Sequence, residues 1–307
     1  MNDLTRETAQ RADEIVADRG APGAAEAIAK PALLARLWSV LTASPIGTAG
    51  GAIVAFWAVC AVSAPWIAPY PPNMIDPALV ADPYPSAEHW LGVDHLGRDI
   101  LSRLLWGART VLTVAPLAVL GAAVLGTFLG LLAGYRGGWV DALIMRTSDT
   151  LLAFPKIILY LIIIARFGAS AFNIIAVITL SAAPIIARIV RAVTLDVKNR
   201  EYVAAARMRG ESTLYIMLYE ILPNARGPLA VDFFLRLGYT TIAIGVLGFL
   251  GVGLPPPDPD WGGMIKETYG LIFVWPHMTI IPSIAISSLV IGFNFLAAGL
   301  REAKLDG

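Results

Sequence analysis

Charge is what this 307-residue chain has least of: 15% of it is Asp, Glu, Lys or Arg, against 57% hydrophobic residues. Soluble domains carry roughly 25% charged residues, so the chain is short of surface for water. It has one cysteine, Cys60, which excludes an internal disulfide and, within an apolar run, points to packing. The three histidines, His89, His95 and His277, lack the i, i+4 or CxxC company of a metal site. Lys plus Arg and Asp plus Glu balance at 23 each, which leaves no basic footprint for nucleic acid. No GxxxxGK[ST] segment occurs, so the sequence offers no cradle for a nucleotide phosphate.

The shortage of charge is local. Thr110 to Tyr135 contains no ionised side chain, and neither does Thr268 to Leu300. Runs of about 18 or more apolar residues cross a bilayer core about 30 Å thick as helices, which satisfy their own backbone polar groups. Buried helices of a large soluble protein would need polar faces on the outer members, and few such faces exist here. The expected fold is therefore an all-α membrane protein with six transmembrane helices, at about 47–67, 110–134, 148–166, 169–188, 233–253 and 278–299. Lys156 interrupts the third, a charge tolerable near a helix end where it snorkels to the inner headgroups.

Ahead of these spans, residues 1–30 are polar, mixed in charge and too acidic for a secretory signal, which predicts a disordered cytoplasmic tail. Pro31 then opens a short amphipathic segment, an interfacial elbow helix or an extension of the first span. The organisation expected is tail 1–30, elbow, first span and external loop 31–109, and a core 110–303. With the N-terminus inside, sixteen of the 23 Lys and Arg residues fall on inner segments and five on outer ones. That asymmetry predicts both termini on the cytoplasmic side.

Two outer segments are rich in proline and acid: Ala68 to Arg109, and GLPPPDPDWGG from Gly253 to Gly263, where Trp261 reads as an interfacial aromatic. Gly126, Gly130 and Gly134 lie at i, i+4 and i+8, and Gly245, Gly248 and Gly251 at three-residue steps, spacings that let helix backbones approach closely.

The longest inner connection, 188–228, reads as a helix pair. Asn199 can cap a first helix carrying Glu201, Ala204, Ala205 and Ala206, and Gly210 stands where a C′ glycine would end it. A second helix, about Ser212 to Ile221, is expected to stop before Pro223. A rigid pair with small residues suits docking in a partner's groove; the plainer alternative is a basic juxtamembrane helix drawn to anionic lipid.

This loop resembles the cytoplasmic loop of binding-protein-dependent ABC importer permeases, whose pattern is E-A-A-x3-G-x9-I-x-L-P. Ala205, Ala206, Gly210, Leu222 and Pro223 match it, while Ala204 replaces the glutamate and Glu220 the isoleucine. The wording EYVAAARMRG, with LGVDHLGRDILSRLLWGAR (91–109), GYRGGWVDALIMRTSDTLLAFP (134–155), LGFLGVGLPPPDPDWGGMI (247–265) and FNFLAAGLRE (293–302), is similar to the C-type subunits of the dipeptide and oligopeptide branch. Ala298 departs from the aspartate usual there.

The resemblance implies a type I ABC importer permease in a bacterial inner membrane, importing peptides or similar small solutes. Its implied partners are a homologous second permease, two ATP-binding subunits that hold the ATP and Mg, an external solute-binding protein and membrane lipid, with no nucleic acid. It implies ATPase-coupling roles for Glu201, Ala204, Ala205, Ala206, Arg207, Gly210, Leu222 and Pro223. Contact with the binding protein falls to Asp94, Arg98, Asp99 and Trp261. An ion-coupled secondary transporter is the alternative, with Asp149 and Asp232 as its nearest intramembrane acids. A membrane-embedded enzyme would have to use Asp94, His95 and Asp99.

Overall fold

The computed structural model describes residues 44–255 and 258–305. The tail expected over 1–30 and the elbow helix expected from Pro31 lie outside them. Within the described residues the regular structure is helical, apart from one isolated antiparallel bridge between Val93 and Asp99. The α-helices are α1 (Pro45–Ile67), α2 (Ile100–Arg136), α3 (Gly138–Ala153), α4 (Lys156–Phe167), α5 (Ala171–Val197), α6 (Glu201–Met208), α7 (Thr213–Phe249), α8 (Trp261–Thr268) and α9 (His277–Leu305). Five of them, α1, α2, α5, α7 and α9, are long and apolar enough to cross a membrane alone.

Glycine contacts fix how these helices run. A Cβ on Gly126 would stand 2.6 Å from the Ala183 carbonyl oxygen and 2.7 Å from Ile186 Cβ. On Gly130 it would stand 2.5 Å from the Ala187 oxygen, and on Gly134 2.6 Å from Thr194 Cβ. The partners advance along α5 as the glycines advance along α2, so the two helices are parallel and backbone lies on backbone. Two parallel spans need a return crossing between them, and only α3 and α4 are available to make it.

That crossing is broken. α3 and α4 meet at 89°, and α4 has 12 residues, about 18 Å, too short for a bilayer core alone. Pro155 causes the break: it has no N–H to continue the ladder, and its ring holds Phe154 in extended backbone at φ −79°, ψ 136°. The third span predicted as one helix over 148–166 is thus two helices at a right angle. Lys156 stands at their junction.

The remaining spans are antiparallel. Gly50 packs on Gly292 and Leu296, and Gly299 on Gly47, so α1 and α9 run oppositely. Gly238 sits against Asn294 and Gly245 against Ile286, so α7 and α9 do too. Six crossings result among the described residues, five by single helices and one by the bent pair α3 and α4. Ser44, α6 and Glu302 share one face, where the Ser44 hydroxyl donates to the Glu302 carboxylate. Residues 68–99 and α8 share the other.

Two further boundaries differ from expectation. α2 begins at Ile100 instead of 110, because Asp99 caps it and Arg103 is neutralised within the loop cluster described below. α7 does not stop before Pro223. It runs through a π-helical stretch, Ile216–Ile221, where the Leu222 N–H bonds the Met217 carbonyl; Pro223 then falls in the first turn of the renewed α segment, where its missing N–H costs little, and the helix ends at Phe249. Gly251 is accordingly outside the helix, at φ 81°.

The α2–α5 contact gives a direct prediction. Gly130→Leu should force the two spans apart and cost several kcal/mol, read as a much lower thermal midpoint of the detergent-purified protein. Gly270→Ala is the control: its Cβ would meet nothing within 4 Å, and the midpoint should stay within a degree or two.

Candidate functional site

On the face that carries α6, the loop helix is short and firmly seated. Arg200, not Asn199, is its N-cap residue, and no side chain caps it. Its far end is built as expected: Gly210 adopts φ 79°, its N–H bonds the Arg207 carbonyl at 3.0 Å, and the Glu211 N–H bonds the Ala206 carbonyl at 3.2 Å. Those two bonds form a Schellman motif, which only glycine enters without strain.

The three alanines do different things. Ala206 and Val203 are fully buried, in one cluster with Leu131 of α2, Val190 and Val197 of α5, and Ile216, Met217 and Ile221 of α7. Ala205 is half-buried and Ala204 exposed. The outward face is Glu201, Ala204 and Met208, at helical spacing, with Tyr202 beside it. Of the residues assigned to coupling, Ala206 and Leu222 thus pack into the protein's own core, and Pro223 belongs to the start of the long α segment of α7. Arg207 is tied back as well: its guanidinium lies 5.1 Å from the Tyr135 ring centre and donates to the Lys198 carbonyl at 3.3 Å. Lys198 in turn donates to the Gly134 carbonyl at 2.9 Å. Asn224 of α7 donates to the Tyr202 hydroxyl at 3.2 Å. The loop helix is therefore clamped to the ends of α2, α5 and α7 and will move with them.

The opposite face carries an ion-pair clasp. Asp94 accepts from the Leu96 N–H at 2.9 Å, the Arg98 N–H at 3.0 Å and the Arg98 Nε at 2.7 Å, and pairs with Arg103. Glu267, from α8, accepts from both Arg98 and Arg103, the latter at 3.1 Å. Asp99 caps α2 through the Ser102 N–H at 2.7 Å and holds His89 Nδ1 at 2.9 Å, while the His89 ring stacks on Tyr70 at 4.6 Å. Asp94, Arg98 and Asp99 are all buried. They were expected to touch an external partner; instead they shape the loop that would do so, because paired charges hold each other out of water.

Trp261 also departs from expectation. It is fully buried rather than interfacial: its Nε1 donates to the Leu104 carbonyl at 2.9 Å, its ring meets Trp57 edge-on at 4.9 Å, and Gly107 lies beneath it. A cleft of about 600 Å³ opens beside it, lined by Arg98, Arg103, Asp258, Asp260, Lys266 and Glu267.

The fold gathers one cluster that sequence spacing could not show. Asp94, His95 and Glu267 offer ligand atoms within 4.8 Å of one another. A metal ion fits them poorly, since Arg98 and Arg103 already occupy both carboxylates and their charges repel a cation.

Comparison with known proteins decides the family. Residues 126–303 match the model of the binding-protein-dependent transport system inner membrane component, and residues 33–84 that of the N-terminal transmembrane domain of oligopeptide transport permease C. The chain belongs to this permease family of ABC transporters. It is 43% identical over 219 residues to the glutathione transport system permease protein GsiD of Pectobacterium atrosepticum, which covers 71% of this chain and 73% of that protein. To the dipeptide transport system permease protein DppC of Alkalihalophilus pseudofirmus it is 41% identical, covering 71% and 72%. To the Escherichia coli O157:H7 GsiD it is 40% identical over 245 residues, covering 80% and 81%. The permease is thus a multi-pass membrane protein that serves as the translocation subunit of an ABC transporter.

The permease's buried cap residue Asp260 makes its stability depend on pH. Its carboxylate accepts from the Gly262 N–H at 3.2 Å and the Gly263 N–H at 3.3 Å, yet burial outweighs these bonds and raises its pKa to about 6. The unfolded value is about 4, so between about pH 4 and 6 the folded state holds a proton that the unfolded chain has released. Stability should fall as pH rises through that window and level off above it. Asp260→Asn keeps an oxygen for the cap and cannot ionise. It should be the more stable form at about pH 7.5, by about 3 kcal/mol, and lose that advantage towards pH 4, as thermal midpoints across pH will read.

Proposed function

We propose that this chain is an inner-membrane permease of a bacterial importer for glutathione, dipeptides or similar small peptides, with the face carrying α6 in the cytoplasm. The observation that carries the reading is the clamped loop helix. It presents an exposed face of Glu201, Ala204 and Met208, is closed by a glycine turn, and packs Val203 and Ala206 against the ends of three spans. The relatives are named as glutathione and dipeptide transport permeases, which supports the substrate class.

In this reading two ATPases, which hold the ATP and Mg, sit beneath this permease and a homologous second one. Each takes a loop helix into a groove. Closure of the ATPases pushes α6, and α6 carries the ends of α2, α5 and α7 with it, exchanging two packed arrangements of the spans. A solute-binding protein delivers its cargo to the opposite face, over the loop 68–99 and the cleft beside α8. The excess of Lys and Arg on the α6 side supports its cytoplasmic placement, with both termini inside. The paired charges Asp149–Arg188 and Asp232–Arg236 are the feature an ion-coupled transporter would share, but an arginine already satisfies each acid.

Ala204→Trp should block docking while leaving the spans folded, because the side chain points away from the core. The variant should reach the membrane normally, fail to retain the ATPases on purification, and lose most ATP-driven uptake. Gly210→Val has open space for its side chain, so its cost is the backbone conformation alone, about 1–2 kcal/mol, and it should mis-aim the helix with the same transport defect. Reporter fusions after Pro72 should read external and fusions after Arg209 internal. ATPase retention and uptake by Ala204→Trp, or an external signal at Arg209, would remove this coupling scheme.

A further inference from the structure

Lys156, at the start of α4, is a charged residue that this reading leaves unused. Its depth follows from its neighbours. Tyr160 bonds Ser181 at 2.8 Å, and Ser181 is about 15 Å into α5 from the α8 face at 1.5 Å per residue, so this bond marks the bilayer middle. Lys156 is one turn nearer the α6 face, about 10 Å inside the hydrocarbon. Arg236, counted back from the end of α7 at Phe249, reaches the same level.

Three charges meet there. Asp232 takes Arg236 in a two-pronged pair, with Nη2 at 3.0 Å from Oδ1. Lys156 lies within electrostatic reach of Arg236 and has no carboxylate partner among the described residues. The next acid down, Asp149, is held by Arg188. One positive charge is left over.

Everything local disfavours that charge. It lies within electrostatic reach of another cation, is exposed on the surface of this chain, and stands at the N-terminal end of α4, whose helix dipole and uncapped N–H groups are also positive. An intramembrane charge that breaks local rules is expected to serve a function. All of these features attract an anion. The break at Pro155 is what exposes them, since a continuous helix would have buried the same N–H groups in its ladder.

Resting on the peptide-importer reading, we propose that Lys156, backed by Arg236, is the intramembrane site that holds the terminal carboxylate of a peptide in transit. The site is a way-station with one fixed positive charge, suited to molecules that carry a carboxylate and indifferent to their side chains. Binding there needs to be weak enough to release the peptide towards the cytoplasm, and a single lysine without a second pairing arginine meets that condition.

The test uses the whole transporter in proteoliposomes, with its companion permease, ATPases and binding protein. ATP-driven uptake is measured for two peptides identical except for a C-terminal carboxylate or carboxamide. Loading of the binding protein is measured separately, and uptake is expressed per loaded binding protein. Lys156→Met should lower the maximal rate for the carboxylate peptide about tenfold, the worth of one charge-assisted bond, and change the carboxamide rate less than about twofold. The concentration for half-maximal uptake should not move, because the binding protein sets it. Lys156→Arg should restore most of the carboxylate rate. Equal loss on both peptides would overturn the proposal in favour of a structural charge or a pair with the companion subunit. No loss on either would overturn it in favour of a lysine that merely snorkels to the headgroups. Failure of the unaltered transporter to take up either peptide would instead remove the peptide reading, and this site with it.

Discussion

Backbone-to-backbone contact between α2 and α5 is the constraint on which the rest of this permease depends. In lipid there is no hydrophobic gain from bringing helices together, so close approach must come from small residues and dispersion. Gly126, Gly130 and Gly134 supply it along the half of α2 nearer α6, against Ala183, Ala187 and Thr194. Because the contact is parallel, the chain between the two helices must recross the bilayer. It has just α3 and α4 to do so, and that return is where the proline break and the unpaired lysine are found. A topological demand set by three glycines thus places a polar discontinuity inside the membrane, at residues exposed on this chain's surface.

α2 itself joins the two faces. It has 37 residues, about 55 Å at 1.5 Å per residue. One end is capped by Asp99 and holds Arg103 in the Asp94–Glu267 clasp. At the other, Tyr135 lies under Arg207, and the Gly134 carbonyl takes Lys198. Displacing the loop 68–99 therefore strains contacts that include α8, and displacing α6 strains contacts at the opposite tip of the same helix. The same helix is bound at both tips by charges whose partners belong to other segments, so neither tip can shift without repacking them.

What was legible in the sequence was whatever rests on local chemistry or on composition. Charge-free runs marked the spans, the glycine stripe marked a close contact, and Gly210 marked a left-handed turn, because each signal lies within a few residues. Phe154–Pro155 was also a local signal: a proline restricts its predecessor to extended backbone, yet the apolar run across it read as one span. Pro223 misled in the opposite direction, since it falls in the first turn of an α segment renewed after a π-helical stretch. The clasp could not be read at all. Asp94 and Glu267 are joined only by the fold, and the burial of Trp261 depends on Gly107, far away in sequence, leaving room for its ring. The sequence pattern of alanines in α6 identified a small-residue helix but not its facing, which follows from where α2, α5 and α7 end.

The distribution of ion pairs separates structural charge from the remainder. Asp141 with Arg191, Asp149 with Arg188, and Asp232 with Arg236 each match one acid to one arginine on the side of the spans nearer α6. On the other face, Arg98 and Arg103 share Asp94 and Glu267, again two against two. Removing a member of the buried pairs, Asp232–Arg236 or Asp94–Arg103, strands a buried charge, whereas Asp149–Arg188 is exposed on this chain. Arginine pairs better than lysine, because its fork meets both carboxylate oxygens and it is less strongly hydrated. In each of these pairs the cation is an arginine, and Lys156 has no such pair among the described residues. A compact, strongly hydrated ammonium is a poor structural partner and a serviceable transient one, which is the chemical distinction that sets Lys156 apart from the arginines around it.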